Sequence, residues 1–205
     1  MSLTFRKKRP LIRTIPHVRD TRLIIIAAEN TYIEKQYFSI FKHHLVQVRV
    51  LFTETGASSP RYVLERLKKY KNDYDLKSDD QLWLMVDRDN WTERELDKVT
   101  QECVQKGFRL AISNPCFELW LYIHFEDIDY SKSYECIDIE KMLKEKLGSF
   151  NKTRLKVDRY HGKIKDAVRR AKAIDINPKD RWPNTTGTHV YKVVEEIISL
   201  IKKIP

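Results

Sequence analysis

Leu23-Ile24-Ile25-Ile26-Ala27-Ala28 is a continuous apolar, β-branched run that ends at Glu29. A strand with one wet face alternates apolar and polar residues; a run without alternation is the pattern of a strand buried on both faces, as in a parallel sheet. The spacing then changes to helical, with Ile33, Tyr37, Ile40, Phe41 and His44 on one side, and Thr31 with Glu34 has the form of a capping box. Further strands are expected over Val46 to Phe52, Gln81 to Val86 and Phe108 to Ile112, alternating with helices opened by Ser59-Pro60 and by Thr92-Glu93-Arg94-Glu95. Gly107 reads as a C-terminal stop. Strands that alternate with helices predict an α/β fold with a parallel sheet.

Outward from this core the character changes. Residues 1–21 carry Pro10, Pro16 and a basic cluster without a sustained period, and read as an arm. Phe117 to Phe125 is so densely apolar that helix and strand are equally compatible with it. Asp138 to Leu147, Tyr160 to Ile174 and Thr188 to Lys203 carry helical apolar stripes, so residues 126–205 are expected to form a mainly helical region packed on a core spanning 22–125.

The composition excludes several classes. Cys103, Cys116 and Cys136 are an odd number of cysteines without CxxC or Cys/His ligand spacing, which indicates neither a disulfide framework nor a zinc site. A reducing, cytoplasmic setting fits that count. No stretch reaches the roughly 18 apolar residues of a membrane span, so no membrane partner is expected. The formal net charge of +10 favours an acidic partner such as nucleic acid. Basic residues are dense around Lys152, Arg154, Lys156, Arg159, Lys163, Lys165, Arg169, Arg170 and Lys172, a run that suits a solvated helix face as well as a binding stripe.

In open parallel sheets ligands bind beyond the carboxyl ends of the strands. Glu29 falls there, and so do Asp87 and Asp89 of Val86-Asp87-Arg88-Asp89. Alternate residues leaving a strand share a face, so both aspartates can aim at one point. Hard oxygen ligands suit Mg²⁺ or Mn²⁺, and crowded carboxylates are costly unless a cation is bound. Glu29 is also a candidate general base. Acidic residues after strands are also ordinary loop and cap residues, and an Asp-x-Asp alone is a weak signal.

These stretches, together with Ser113-Asn114-Pro115-Cys116-Phe117-Glu118-Leu119-Trp120-Leu121 and His124-Phe125, resemble the RloB-like family of prokaryotic proteins. The core of that family is similar to the Toprim domain of topoisomerases, primases and the overcoming-lysogenization-defect nucleases. The resemblance implies a Toprim-like sheet, a divalent metal, and phosphodiester cleavage on RNA or DNA in anti-phage defence or a restriction-linked system, with a companion defence protein as a further partner. It places the Toprim glutamate on Glu29, the Asp-x-Asp on Asp87 and Asp89, and a second acidic position on Glu34 beside Tyr37 and Phe38. The chain departs from the family at Asn30 and Thr31, where a Gly-Glu pair usually follows the first glutamate. That departure motivates an alternative, a catalytically inactive nucleic-acid-binding or sensor subunit. A nucleotide-sugar transferase also uses Asp-x-Asp, but leaves the 113–119 string unexplained.

Further site candidates are weighed against plain structural roles. Glu118 reads as an extra metal ligand or an orienting carboxylate, and His124 as a phosphate contact or a hydrogen-bonded core group. Asn114 either holds a metal-bound water or closes a turn. Lys163 and Arg170 are candidate phosphate contacts, whereas Arg88 should point away from the aspartates. The polar segment Arg181 to His189, with Thr188 as N-cap and His189 beside it, is a candidate phosphate-receiving loop at a helix N-terminus.

Overall fold

The computed structural model describes residues 21–29, 31–51, 59–89 and 91–203. The basic arm, Asn30 and the end of the strand expected to reach Phe52 lie outside the described residues. In chain order the elements are β1 (Arg22–Ala28), α1 (Thr31–Phe38), β2 (Val46–Leu51), α2 (Pro60–Asp73), β3 (Gln81–Asp87), α3 (Glu93–Gln105) and β4 (Arg109–Asn114). Then follow α4 (Phe117–Tyr122), α5 (Cys136–Leu147), α6 (Asp158–His161), α7 (Ile164–Ile174), β5 (Gly187–Thr188) and α8 (Val190–Lys203).

The sheet has five strands in the order β2-β1-β3-β4-β5. The first four are parallel, and the short β5 runs antiparallel along the edge of β4. The α/β fold expected from the β1 run is therefore the observed one. Leu23 to Ala28 are all buried, and alternate residues serve opposite faces. Ile24, Ile26 and Ala28 join a core with Ile33 and Tyr37 of α1, Trp120 of α4 and Val193 and Ile197 of α8. Leu23, Ile25 and Ala27 join the opposite core with Val63, Leu64 and Leu67 of α2 and Leu96 and Val99 of α3. Neither face is wet, which is why the run shows no alternation.

Local signals set the boundaries. The Thr92 hydroxyl accepts from the Glu95 N–H and the Glu95 carboxylate from the Thr92 N–H, closing the capping box of α3. Gly107, at φ +75°, takes the left-handed turn that releases the chain into β4. The ambiguous stretch after Pro115 is a short helix whose six residues are all buried. The helix expected over Tyr160 to Ile174 is instead divided at Gly162 into α6 and α7.

Two expectations need correction. Cys116, just ahead of α4, and Cys136, the first residue of α5, form a disulfide. The two helices pack side by side, so their starts meet although no sequence motif links them. The final helix begins at Val190 rather than Thr188, because Gly187 and Thr188 pair with Asn114 and Ser113 as β5. The C-terminal region thus supplies one edge of the sheet. No helix among the described residues is long and apolar enough to cross a membrane.

Candidate metal and phosphodiester site

The strand order reverses direction between β1 and β3, since β2 lies outside β1 on one side while β4 lies outside β3 on the other. Such a switch point opens a crevice at the carboxyl ends of the two strands. Glu29 and Asp87 are the residues found there. The Glu29 N–H extends the ladder by donating to the Met85 carbonyl at 3.1 Å, and the Asp87 N–H donates to Glu29 Oε2 at 3.1 Å. Trp91 Nε1 donates to Glu29 Oε1 at 3.1 Å and lies 3.3 Å from Oε2, a second hold on the carboxylate. Asp89 lies in the turn after β3, with its backbone N–H directed at the Pro115 carbonyl at 3.3 Å. Arg88 turns away, pairing with Glu93 at 2.9 Å and donating to the Asn184 carbonyl at 3.0 Å.

Glu34 on α1 and Glu118 on α4 are both buried at 2 % exposure. Asp87 keeps a little accessible surface but is otherwise enclosed, and its pKa is pushed well above the usual carboxylate range. Burial is the largest cause, followed by the charges of Glu118, Glu29, Glu34 and Asp89. Every acidic residue singled out from the sequence therefore lies within electrostatic reach of Asp87. Glu29 is raised to about 7, mainly by burial and further by Asp89, against the lowering effect of the Asp87 and Trp91 hydrogen bonds and of Arg66.

Two cations border the acids. Arg66 on α2 donates to the Ala28 carbonyl at 2.6 Å and to the Leu51 carbonyl at 3.2 Å, tying together the ends of β1 and β2. Burial lowers its pKa, while Glu34 and Glu29 favour its charge. Lys152 bridges Glu118 at 2.6 Å and Glu140 at 2.7 Å. Burial opposes the Lys152 charge, but the two glutamates outweigh it and raise its pKa. Sequence reasoning missed Trp91, Arg66 and Lys152 as members of this site. The one signal for Trp91 was its place immediately after the Asp-x-Asp turn; Arg66 and Lys152 carried none.

The donor chemistry fits Mg²⁺ or Mn²⁺: carboxylate oxygens at a crevice, whose mutual repulsion a dication would relieve. The side chains are not drawn onto a common point. Among the described residues, the group of three His, Cys, Asp or Glu ligand atoms all within 4.8 Å of one another is Cys116, Glu118 and Cys136. The sulfurs of that group are bonded to each other and are not thiolate ligands. Neighbouring ligands of an octahedral Mg²⁺ stand about 3 Å apart, so Glu29, Asp87 and Asp89 would have to rotate inward to share an ion.

The remaining candidates are structural. His124 is 1 % exposed; its Nδ1 is 2.8 Å from the Trp120 carbonyl, which can only accept, so Nε2 accepts from the Tyr37 hydroxyl at 3.1 Å. Burial pushes its pKa down to about 4, and the ring is neutral. Asn114 Nδ2 donates to the Pro183 and Thr185 carbonyls, closing the loop before β5. Arg170 pairs with Asp127 at 3.0 Å and donates to the Ile123 and His124 carbonyls. Thr188 is fully buried against the Ser113 hydroxyl at 2.8 Å, and His189 is buried 3.3 Å from Asp175. Thr188 and His189 are thus buried inside the protein, while Arg170, partly buried, holds its guanidinium on Asp127 and two backbone carbonyls. Lys163 is exposed and lies over the Phe125 ring at 5.8 Å.

Against this geometry the family comparison is decisive. The RloB-like protein model matches residues 24–197, from within β1 into α8. The chain belongs to the RloB-like family. The match includes all five acids of the crevice, the 113–125 stretch and the segment that carries Lys152. No curated protein and no solved structure matches the chain significantly.

Proposed function

We propose that this RloB-like chain is a divalent-metal-dependent nuclease that hydrolyses phosphodiester bonds in RNA or DNA. The observation that carries the reading is the meeting of Glu29 and Asp87 at the β1/β3 switch point, with Asp87 surrounded by the charges of Glu118, Glu29, Glu34 and Asp89. Glu29, Asp87 and Asp89 would hold the ion, and Glu34 would add a further oxygen donor from α1. Glu118, already held by Lys152, would shape the electrostatics as an orienting carboxylate. When bound, Mg²⁺ or Mn²⁺ supplies Lewis acidity toward a phosphoryl oxygen and acidifies a bound water. Trp91 holds the Glu29 carboxylate in place, and Arg66 offsets part of the acidic charge while substrate phosphate approaches. The setting implied by family kinship is anti-phage defence or a restriction-linked system with a companion protein.

Incubation with tRNA, single-stranded and duplex nucleic acids under Mg²⁺, Mn²⁺ or chelator tests the reading. Asp87→Ala and Asp89→Ala should each lower metal-dependent cleavage at least ~100-fold, the scale of a lost charge-stabilising group. Their far-UV circular dichroism should stay native. Cleavage that persists unchanged in both variants overturns the assignment. The spread of the carboxylates beyond 4.8 Å favours a second reading, a nucleic-acid-binding sensor without turnover. That reading requires salt-sensitive binding by the wild-type chain and intact substrate under every metal condition.

A further inference from the structure

The basic stretch from Lys152 to Lys172 divides sharply once the ion pairs are placed. Lys152, Arg169, Arg170 and Lys172 are bound to Glu118 and Glu140, Asp166, Asp127 and Glu195 respectively. Among the described residues, Arg154, Lys156, Arg159, Lys163 and Lys165 have no carboxylate partner within 4.0 Å. Arg154, Lys156 and Arg159 line one hollow of about 210 Å³, together with Phe150, Asn151 and Tyr160. Like charges that gather around a concavity without counter-charges raise the local potential and favour an anion.

A buried tyrosine also lines the hollow. Tyr160 is 1 % exposed, and its hydroxyl has no hydrogen-bond partner among the described residues. Buried hydroxyls are normally satisfied, and this one lies within electrostatic reach of the Arg159 guanidinium. Arg159 spends Nη1 on the Leu147 carbonyl at 2.9 Å, which orients the group while leaving further N–H donors for a ligand.

The loop that lines the hollow is also tied to the helices that bear the acids. Gln36 of α1 donates to the Lys152 carbonyl at 3.0 Å and accepts from the Leu155 N–H at 2.7 Å. Gln36 lies two residues after Glu34, and Lys152, two residues before Arg154, reaches Glu118. Two separate links therefore hold the basic loop against the helices that bear the acids.

We propose that this hollow grips a backbone phosphate of a nucleic-acid strand through Arg154, Lys156 and Arg159, and so positions a neighbouring phosphodiester at the acidic crevice. The choice of a strand as ligand rests on the nuclease reading above. The volume admits one phosphate with its sugar, and the partly exposed Phe150 ring lines the same hollow, where an unpaired base could stack, so a single strand fits better than a duplex.

Labelled single-stranded RNA and DNA 20-mers, titrated in chelator across a salt series, test the proposal with turnover switched off. Arg154→Ala/Lys156→Ala should weaken binding at least ~10-fold, and the salt slope should fall by about 0.7, the value for one lost phosphate contact on a single strand. Adding Arg159→Ala should deepen the loss of affinity. Arg154 and Lys156 are exposed, so the double variant remains informative if the Arg159 variant folds poorly. Lys202→Ala/Lys203→Ala, at the exposed end of α8, should leave both quantities unchanged. Wild-type affinity and slope in the double variant overturn the proposal, as does equal competition by inorganic phosphate, which would mark a small-anion site. Asp87→Asn assayed in parallel separates the two claims. If it is inactive while the double variant binds normally, only the hollow falls; if it cleaves normally while the double variant fails to bind, the hollow stands as a binding site and only the assignment of the acids falls.

Discussion

Two clusters of buried polar groups share the same pair of helices and settle their electrostatics in opposite ways. Tyr37 of α1 and His124, just after α4, close a circuit with the Trp120 carbonyl in which each donor has its acceptor. Glu34 of α1 and Glu118 of α4 instead face Asp87 with further acids around it, and Asp87 is driven toward its protonated form. The first cluster is complete within the chain. The second is built so that a cation from outside would improve it, and functional sites are where such unrelieved crowding is tolerated.

The difference can be broken experimentally, and the largest effect should come from the self-sufficient side. His124→Ala removes a packed ring and leaves the Tyr37 hydroxyl and the Trp120 carbonyl without their partners. The expected loss is about 3–4 kcal/mol in denaturant unfolding, with cleavage per folded molecule retained. A loss within ~0.5 kcal/mol would mean that the circuit contributes little.

Metal should act only on the other side. At a hundredfold excess over its Kd, Mg²⁺ should stabilise the wild-type chain by about 2.7 kcal/mol. Asp87→Asn should lose that gain, yet melt higher than wild type in chelator because a buried like-charge contact has been removed. Thermal melts with and without Mg²⁺ measure both effects. A Mg²⁺ shift that survives in the variant would place the ion elsewhere.

The smallest and most discriminating effect is the pH profile in chelator, where the clusters carry opposite signs. Glu29 is raised to about 7, so its contribution is present below the ordinary carboxylate range and lost as pH rises through 7. His124 is lowered to about 4, so its contribution is present above about 6.5 and lost as pH falls through 4; buried His189 is pushed down likewise. Asp87, also raised, adds to the Glu29 gain, so stability should rise as pH drops from 8 to 6.5, while the histidines begin to oppose the gain near 6.5. A flat response from pH 8 to 6.5 would contradict the crowding of the acids. For a domain of this size each kcal/mol moves Tm by roughly 2–4 °C.

The legibility of these features follows from their range along the chain. β1 was readable because burial on two faces writes an uninterrupted apolar run, and Thr92 with Glu95 because a capping box is local. α4 was not readable as helix or strand, since complete burial erases the period that separates them. The acids could be placed at strand ends, but the strand order that joins Glu29 to Asp87 is a tertiary fact. The Cys116–Cys136 bond was missed for the same reason: twenty positions separate the residues, and only helix packing unites them. Thr188 and His189 looked like exposed donors because a two-residue strand is too short to leave a pattern. The charge run after Lys152 was ambiguous until its counter-ions were located.

The Pro115 carbonyl accepts from both the Arg88 and the Asp89 N–H groups, and Asp87 pairs with Ser113 along the β3–β4 ladder. The turn bearing the aspartates is thus cast against a mould supplied by a stretch some twenty-five residues later. In a mutational screen, lesions at 113–116 would mimic lesions in the acids themselves. Compensating changes should arise in the turn, and the two segments should tolerate exchange between homologous chains only as a pair.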